Sequence, residues 1–199
     1  MNNHLMYPEF QVCTLDTEHS LWRGRLPEGL LPNPQQFDDL WALHPDDYNE
    51  IRIHGRTIKT PRWEQAYNKA YCYAGVTNLA LPVPKQVGPI WNWVKATIDS
   101  SLNGILLTWY DGQLGHYIGK HRDSVQNMIV GAPIVTVSLG QPRIFRLRPW
   151  QGKGYWDFPT DHGTVFILPY RTNLAWTHEI PASKKLQGQR IAIAFRAFE

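Results

Sequence analysis

Cysteine is nearly absent: Cys13 and Cys72 are the two in the chain. Two thiols cannot make a disulfide framework, and their scarcity suits a reducing compartment. Long apolar runs are missing as well. No stretch approaches the roughly 20 residues that cross a bilayer, and the opening MNNHLMYPEF has no signal-peptide core. The expectation is therefore a soluble, intracellular protein, cytoplasmic or nuclear, with no membrane attachment. A large excess of one charge sign is missing too. A net charge of +3 permits a nucleic-acid partner without demanding one. No internal repeat and no low-complexity tract is visible. What remains is a chain of 199 residues, the length of one domain able to bury a sizeable core. Its nine tryptophans are spread along the chain and read mainly as packing residues.

Residues 1 to about 34, rich in proline and polar side chains, read as an irregular surface segment. Asn33-Pro34 then starts a short helix, with an N-cap followed by proline at the first helical position. Phe37, Leu40 and Trp41 give its apolar stripe. Ile51 and Ile53 followed by Gly55 predict a strand and a tight turn. In YNKAYCYAGV, Tyr71 and Tyr73 share one strand face and Cys72 takes the other. A second helix is expected from about Val87 to Leu102, with Ile90, Val94, Ile98 and Leu102 as its stripe and Asn103-Gly104 closing it. From Ile105 onward the chain is a series of short strand-like runs punctuated by glycine and proline. The predicted fold class is mainly β (α+β), a sandwich or jelly roll with helices packed on the outside of the sheet. Residues 1–103 are expected to form an N-terminal extension and substrate lid, and residues 104–199 the jelly-roll core.

The chemistry concentrates in YDGQLGHYIGKHRD, residues 110–123. On an extended chain His121 and Asp123 leave from the same face, offering a nitrogen and an anionic oxygen to one point. A distant histidine would complete a 2-His-1-carboxylate set, which holds iron(II) and leaves positions open. His178, in WTHEIP, ends a strand-like run and is the candidate. A chance His-x-Asp is the competing reading, since His44-Pro45-Asp46 is a second copy in a context with no strand pattern. Further on, Arg190 to Arg196 alternates strictly: Ile191, Ile193 and Phe195 on one face, Arg190, Ala192, Ala194 and Arg196 on the other. Two guanidiniums on one face suit a small dianion, because guanidinium binds carboxylate bidentately and keeps its charge when buried. The alternative is an exposed strand with two solvated arginines.

In this order, Tyr110, His121-x-Asp123, His178 and Arg190-x5-Arg196 resemble the AlkB family of iron(II)- and 2-oxoglutarate-dependent dioxygenases. GAPIVTVSLGQPRIFRLR, HGTVFILP, NLAWTHEIP and RIAIAFR are similar to further segments of that family. The likeness is greatest to its eukaryotic DNA and RNA demethylase branch and runs from about Arg52 to Phe198. It implies a double-stranded β-helix, with iron(II) on His121, Asp123 and His178, and 2-oxoglutarate and O2 as cosubstrates. Thr108, Tyr110, Arg190 and Arg196 would bind 2-oxoglutarate. Tyr71 and Tyr73 would stack on a flipped base, His54 would sit in a loop that wedges into a duplex, and Ser124 would stand beside the substrate. The chain departs from the family at Thr108 and at Ala192, where polar residues that contact the cosubstrate are usual. It departs again at Ser124-Val125, where acids that read the damaged base are usual. The run Arg143, Arg146, Arg148 and Lys153 is a candidate phosphate track or a solvated face.

Two functions follow from the resemblance. One is oxidative dealkylation of nucleobases in DNA or RNA, by a monomer. The other is the same chemistry on a small molecule or a protein side chain, as a hydroxylase or desaturase. A non-catalytic jelly-roll binding module is the reading from a different class, and succinate release would exclude it.

Overall fold

The structure is a computed structural model and describes Tyr7 and residues 9–53 and 55–199. The N-terminal half carries β1 (Gln11–Thr14), β2 (Ser20–Arg25), β3 (Glu50–Ile53), β4 (Arg56–Lys59), β5 (Trp63–Tyr67), β6 (Tyr71–Tyr73), β7 (Val76–Asn78) and β8 (Ala80–Leu81). The C-terminal half carries β9 (Gly104–Asp111), β10 (Ile118–His121), β11 (Ile134–Gly140), β12 (Arg143–Pro149), β13 (Trp156–Thr160), β14 (Thr164–Leu168), β15 (Trp176–Ile180) and β16 (Gln189–Arg196). Helices α1 (Pro34–Trp41), α2 (Gly88–Thr97) and α3 (Tyr170–Ala175) lie between them. Eight strands form a large sheet in the order β1-β2-β14-β11-β16-β9-β5-β8, and four form a small one, β10-β15-β12-β13. Hairpins β3-β4 and β6-β7 stand apart from both. The expected mainly β jelly roll is what the chain adopts.

Alternation along the central strands separates two interiors. Ile191, Ile193 and Phe195 turn outward from the small sheet and pack with Leu107, Trp109, Val135 and Val137 against Leu40, Ile90 and Val94 of the helices. Each such fully buried aliphatic or aromatic side chain contributes about 1.5–3 kcal/mol. The opposite face of the same strands looks into the space between the sheets, where Tyr110, Ala192 and Ala194 meet Phe145, Leu147 and Ile180. The functional residues stand on this second face.

The first helix is as expected: the Asn33 side chain accepts from the Gln36 N–H, and the Gln36 side chain accepts from the Asn33 N–H. Two elements differ from the sequence reading. The N-terminal segment is not irregular, because β1 and β2 pair and β2 extends the large sheet beside β14. Leu21 and Trp22 are both buried, in different interiors, so β2 shows no alternation to read. Helix α2 stops at Thr97 although the apolar spacing continues. The Asp99 carboxylate accepts from the Ser101 N–H (2.9 Å) and hydroxyl (2.6 Å), a local turn that competes with helix. Asn103 does not cap that helix. It pairs through its side chain with the Phe198 backbone (2.7 and 2.8 Å) and ties the end of the chain to the start of β9. Among the described residues, no helix is long and apolar enough to cross a membrane.

Candidate active site

His121 and His178 face each other across the β10-β15 ladder, with a register shift between Ile118 and His121. Their ring centroids are 4.3 Å apart. The His121 Nδ1 lies 2.9 Å from the Gly119 carbonyl. As an N–H donor there it leaves Nε2 as a free lone pair. Asp123 follows just beyond the strand end, clasped by Asn173 of α3. The Asp123 N–H donates to Asn173 Oδ1 (2.9 Å), and the Asn173 Nδ2 donates back to the Asp123 carbonyl (3.0 Å). Asp123 Oδ1 is 3.7 Å from His121 Nε2 and 3.8 Å from His178 Nε2. One ligand atom from each of the three residues falls within 4.8 Å of the others. Two imidazoles and one carboxylate, open on the cavity side, are a donor set that fits iron(II).

Charge is arranged to keep these donors deprotonated. Burial alone would raise the Asp123 carboxyl, but the Arg196 guanidinium, then the two imidazoles, hold it well below the usual carboxylate range. Arg196 donates to Asp123 Oδ2 from Nε (3.1 Å) and Nη2 (2.7 Å). Burial, followed by the charge of His178, pushes the His121 imidazole down. Burial does the same to His178, against the pull of Asp123. Both rings are therefore neutral at pH 7, and a cation needs to displace no proton from them.

A cavity of about 580 Å³ joins this cluster to the remaining sequence candidates. Thr108 and Tyr110 stand on β9 opposite Ala192 and Arg190 of β16. The Arg190 Nη2 donates to the Ser138 hydroxyl (2.7 Å), and the guanidinium lies 4.9 Å from the Tyr110 ring centre. Among the described residues its Nε and Nη1 are buried without a hydrogen-bond partner. Buried donors of this kind are open to an acceptor from the cavity. Arg190 and Arg196 are six residues apart on one strand, about 20 Å between Cα atoms, and the structure gives them different partners.

Tyr71 and Tyr73 stack at 5.3 Å with 26° between ring planes. The Tyr71 hydroxyl donates to Asp123 Oδ1 (3.4 Å) and accepts from the Ser124 N–H (3.2 Å), so this ring touches the ligand cluster. The Tyr73 hydroxyl donates to Glu64 Oε2, and Arg62 Nε donates to Glu64 Oε1 at 2.8 Å. The sequence candidates for metal, cosubstrate and substrate binding all line this cavity except His54, which lies outside the described residues; Arg143, Arg146, Arg148 and Lys153 do not line it.

Sequence reasoning missed four neighbours. Arg62 and Glu64 are a buried ion pair on the cavity wall. Their i, i+2 spacing in PRWEQAY was the available signal, two opposite charges on the inward face of a strand. Asn173 and Ser138 act across 50 and 52 residues and leave no local trace. The basic run is largely spent. Arg146 makes a bidentate pair with Asp157 (2.6 and 2.7 Å), Arg148 binds Glu179 (2.8 Å), and Arg143 is buried.

Fold and site together describe the oxygenase class that uses a facial triad, and the sequence agrees. Residues 42–196 match the family model described as the 2OG-Fe(II) oxygenase superfamily. The chain belongs to that family, whose cofactor is iron(II) and whose cosubstrates are 2-oxoglutarate and O2. It is 28% identical to the human DNA oxidative demethylase ALKBH2 over 157 residues, 73% of this chain and 60% of the human protein. It is 25% identical to the rat alpha-ketoglutarate-dependent dioxygenase alkB homolog 3 over 154 residues, 70% of this chain and 51% of that protein. The chain thus spans little more than half the length of these relatives. The solved structure of OsALKBH1 superposes with a TM-score of 0.61 at 15% identity, covering 94% of this chain and 100% of that one, a likeness of fold.

Proposed function

We propose that this chain is an iron(II)- and 2-oxoglutarate-dependent dioxygenase that oxidatively removes alkyl groups from nucleobases in DNA or RNA. The observation that carries the reading is a single cavity in which a two-tyrosine platform abuts the His121, Asp123 and His178 cluster. Those three residues hold the metal, which with its cosubstrates supplies the oxidation. Arg190 binds a carboxylate of 2-oxoglutarate, with Tyr110 and Thr108 beside it. Arg196 engages one oxygen of Asp123 and so leaves the other facing the imidazoles, while its Nη1 remains for the cosubstrate. Tyr71 and Tyr73 receive a flat ring, and a base within a duplex must first be flipped out to reach them. Ser124 stands at the ring's edge. Glu64 supplies the carboxylate that the positions after Asp123 lack, from the opposite wall.

The second reading, a small-molecule or side-chain hydroxylase, is favoured by the pairing of Arg146 and Arg148 with carboxylates. That pairing takes two of the four residues of the basic run away from a phosphate backbone. Succinate release measured on methylated single- and double-stranded oligonucleotides and on a metabolite panel separates the two. Stimulation by a methylated oligonucleotide, with salt-sensitive binding, is the expected result. Stimulation by a metabolite alone would end the nucleobase reading. Within it, Tyr73→Ala weakens substrate binding by about 1–3 kcal/mol, one lost stack, and leaves uncoupled 2-oxoglutarate decay intact. Tyr71→Ala loses the same stack and also disturbs Asp123. Ser124→Asp improves turnover on an alkylated base. Full coupled turnover in both tyrosine variants would refute the platform.

A further inference from the structure

Arg62 directly precedes β5 and Glu64 lies within it; both are buried and both line the cavity. Glu64 is held at each oxygen: Oε1 accepts from Arg62 Nε (2.8 Å) and Oε2 from the Tyr73 hydroxyl. Burial, then the Glu64 charge, raises the Tyr73 hydroxyl well above its ordinary value, so the ring keeps its proton and donates. One carboxylate therefore ties a ring of the tyrosine platform to a guanidinium. The backbone under Arg62 is fixed as well. The Thr60 hydroxyl donates to the Arg62 carbonyl (3.0 Å), and the Tyr117 N–H donates to the carbonyl of Pro61 (3.1 Å).

Glu64 occupies only the Nε of Arg62. Among the described residues Nη1 and Nη2 donate to no group, and they are not sealed from the cavity. A guanidinium is a planar fork, so once Nε is held its two end amino groups have a set direction. Its charge is already balanced by Glu64, so what the remaining donors lack is a neutral acceptor and not a further anion. A ring lying on Tyr73 can bring one. We propose that Arg62 reads the edge of the flat substrate by donating to a carbonyl oxygen beside the alkylated nitrogen, with Glu64 positioning Arg62 and Tyr73 together. The proposal rests on the nucleobase reading above and narrows it to rings that carry an oxo group there. N3-methylcytosine offers such an oxygen at O2. N1-methyladenine flanks its methyl group with a C–H and an amine, and offers none.

The test measures turnover on two single-stranded oligonucleotides of one sequence, carrying either N3-methylcytosine or N1-methyladenine at the same position. The wild-type chain is expected to favour N3-methylcytosine in kcat/KM. Arg62→Lys keeps a cation for Glu64 but loses the fork. It should lose about tenfold or more on N3-methylcytosine, mainly through KM, as removal of a charge-assisted hydrogen bond to bound substrate does. Its loss on N1-methyladenine should be much smaller, so the preference contracts. Glu64→Gln, which loosens both Arg62 and Tyr73, should contract it in the same direction, whereas a purely structural pair would lower both substrates alike. If the single variants do not fold, Arg62→Met combined with Glu64→Met decides by the same ratio, because a buried ion pair removed whole leaves no uncompensated charge. Equal losses on both substrates, or a wild-type preference for N1-methyladenine, would overturn the edge reading and leave nucleobase dealkylation standing. Turnover of neither oligonucleotide by the wild-type chain would defeat both.

Discussion

His178→Ala is expected to lose stoichiometric iron(II) and all 2-oxoglutarate turnover while the jelly roll stays folded. His178 sits mid-ladder, opposite His121 on one side and Leu147 on the other, so the strand pairing that carries it is backbone-made and survives truncation. What disappears is one of three protein donors. Altering even an outer-shell partner costs about 10–100-fold in metal affinity, and losing a ligand should exceed the upper end of that range. Asp123→Ala has a different outcome. It strips the metal site and also leaves Arg196 buried without its carboxylate, which costs about 3–5 kcal/mol of stability. Elemental analysis of the purified variants, alongside their melting curves, reads both effects. One iron per chain retained in His178→Ala would refute the ligand set.

The second large effect is at Arg190. Arg190→Lys should raise the Michaelis constant for 2-oxoglutarate by about 10- to 100-fold, corresponding to 1.5–3 kcal/mol for a charge-assisted contact. The side chain is poised by Ser138 on one amine and by the Tyr110 ring beneath it, with Nε and Nη1 unspent. Lysine keeps the charge but offers a point where the site presents a fork. Fluorescence titration with 2-oxoglutarate gives the same comparison without turnover. An unchanged constant in both assays would place the cosubstrate elsewhere.

How far the site could be read from sequence depends on whether a relation is local. His121 and Asp123 were legible because two residues on an extended chain share a face whatever surrounds them. The alternation from Arg190 to Arg196 was legible for the same reason, and it sorted the inward and outward faces of β16 correctly. What Arg196 does there was not legible, since its partner Asp123 lies 73 residues away. Arg143 carried the opposite lesson. In the sequence it is one of a run of basic residues, and only the closing of the small sheet over the large one takes it out of water. The fold showed the same division. Helix α1 was announced by its cap, whereas β2 was hidden because both its faces are covered. The end of α2 turned on one Asp99 side chain outbidding a continuing apolar stripe.

The clasp between Asn173 and Asp123 has a consequence for how the site opens. Asn173 and His178 belong to one short segment, α3 running directly into β15. One donor of the cluster is held by that segment's side chain and another is borne on its strand. Any excursion that peels the segment away removes His178 and frees the Asp123 backbone in the same step, leaving the carboxylate to Arg196 and Tyr71. The Asp123 amide, although it lies in irregular chain past a strand end, should therefore exchange its hydrogen as slowly as amides in the neighbouring ladder, reporting cooperative sub-global opening instead of local fraying.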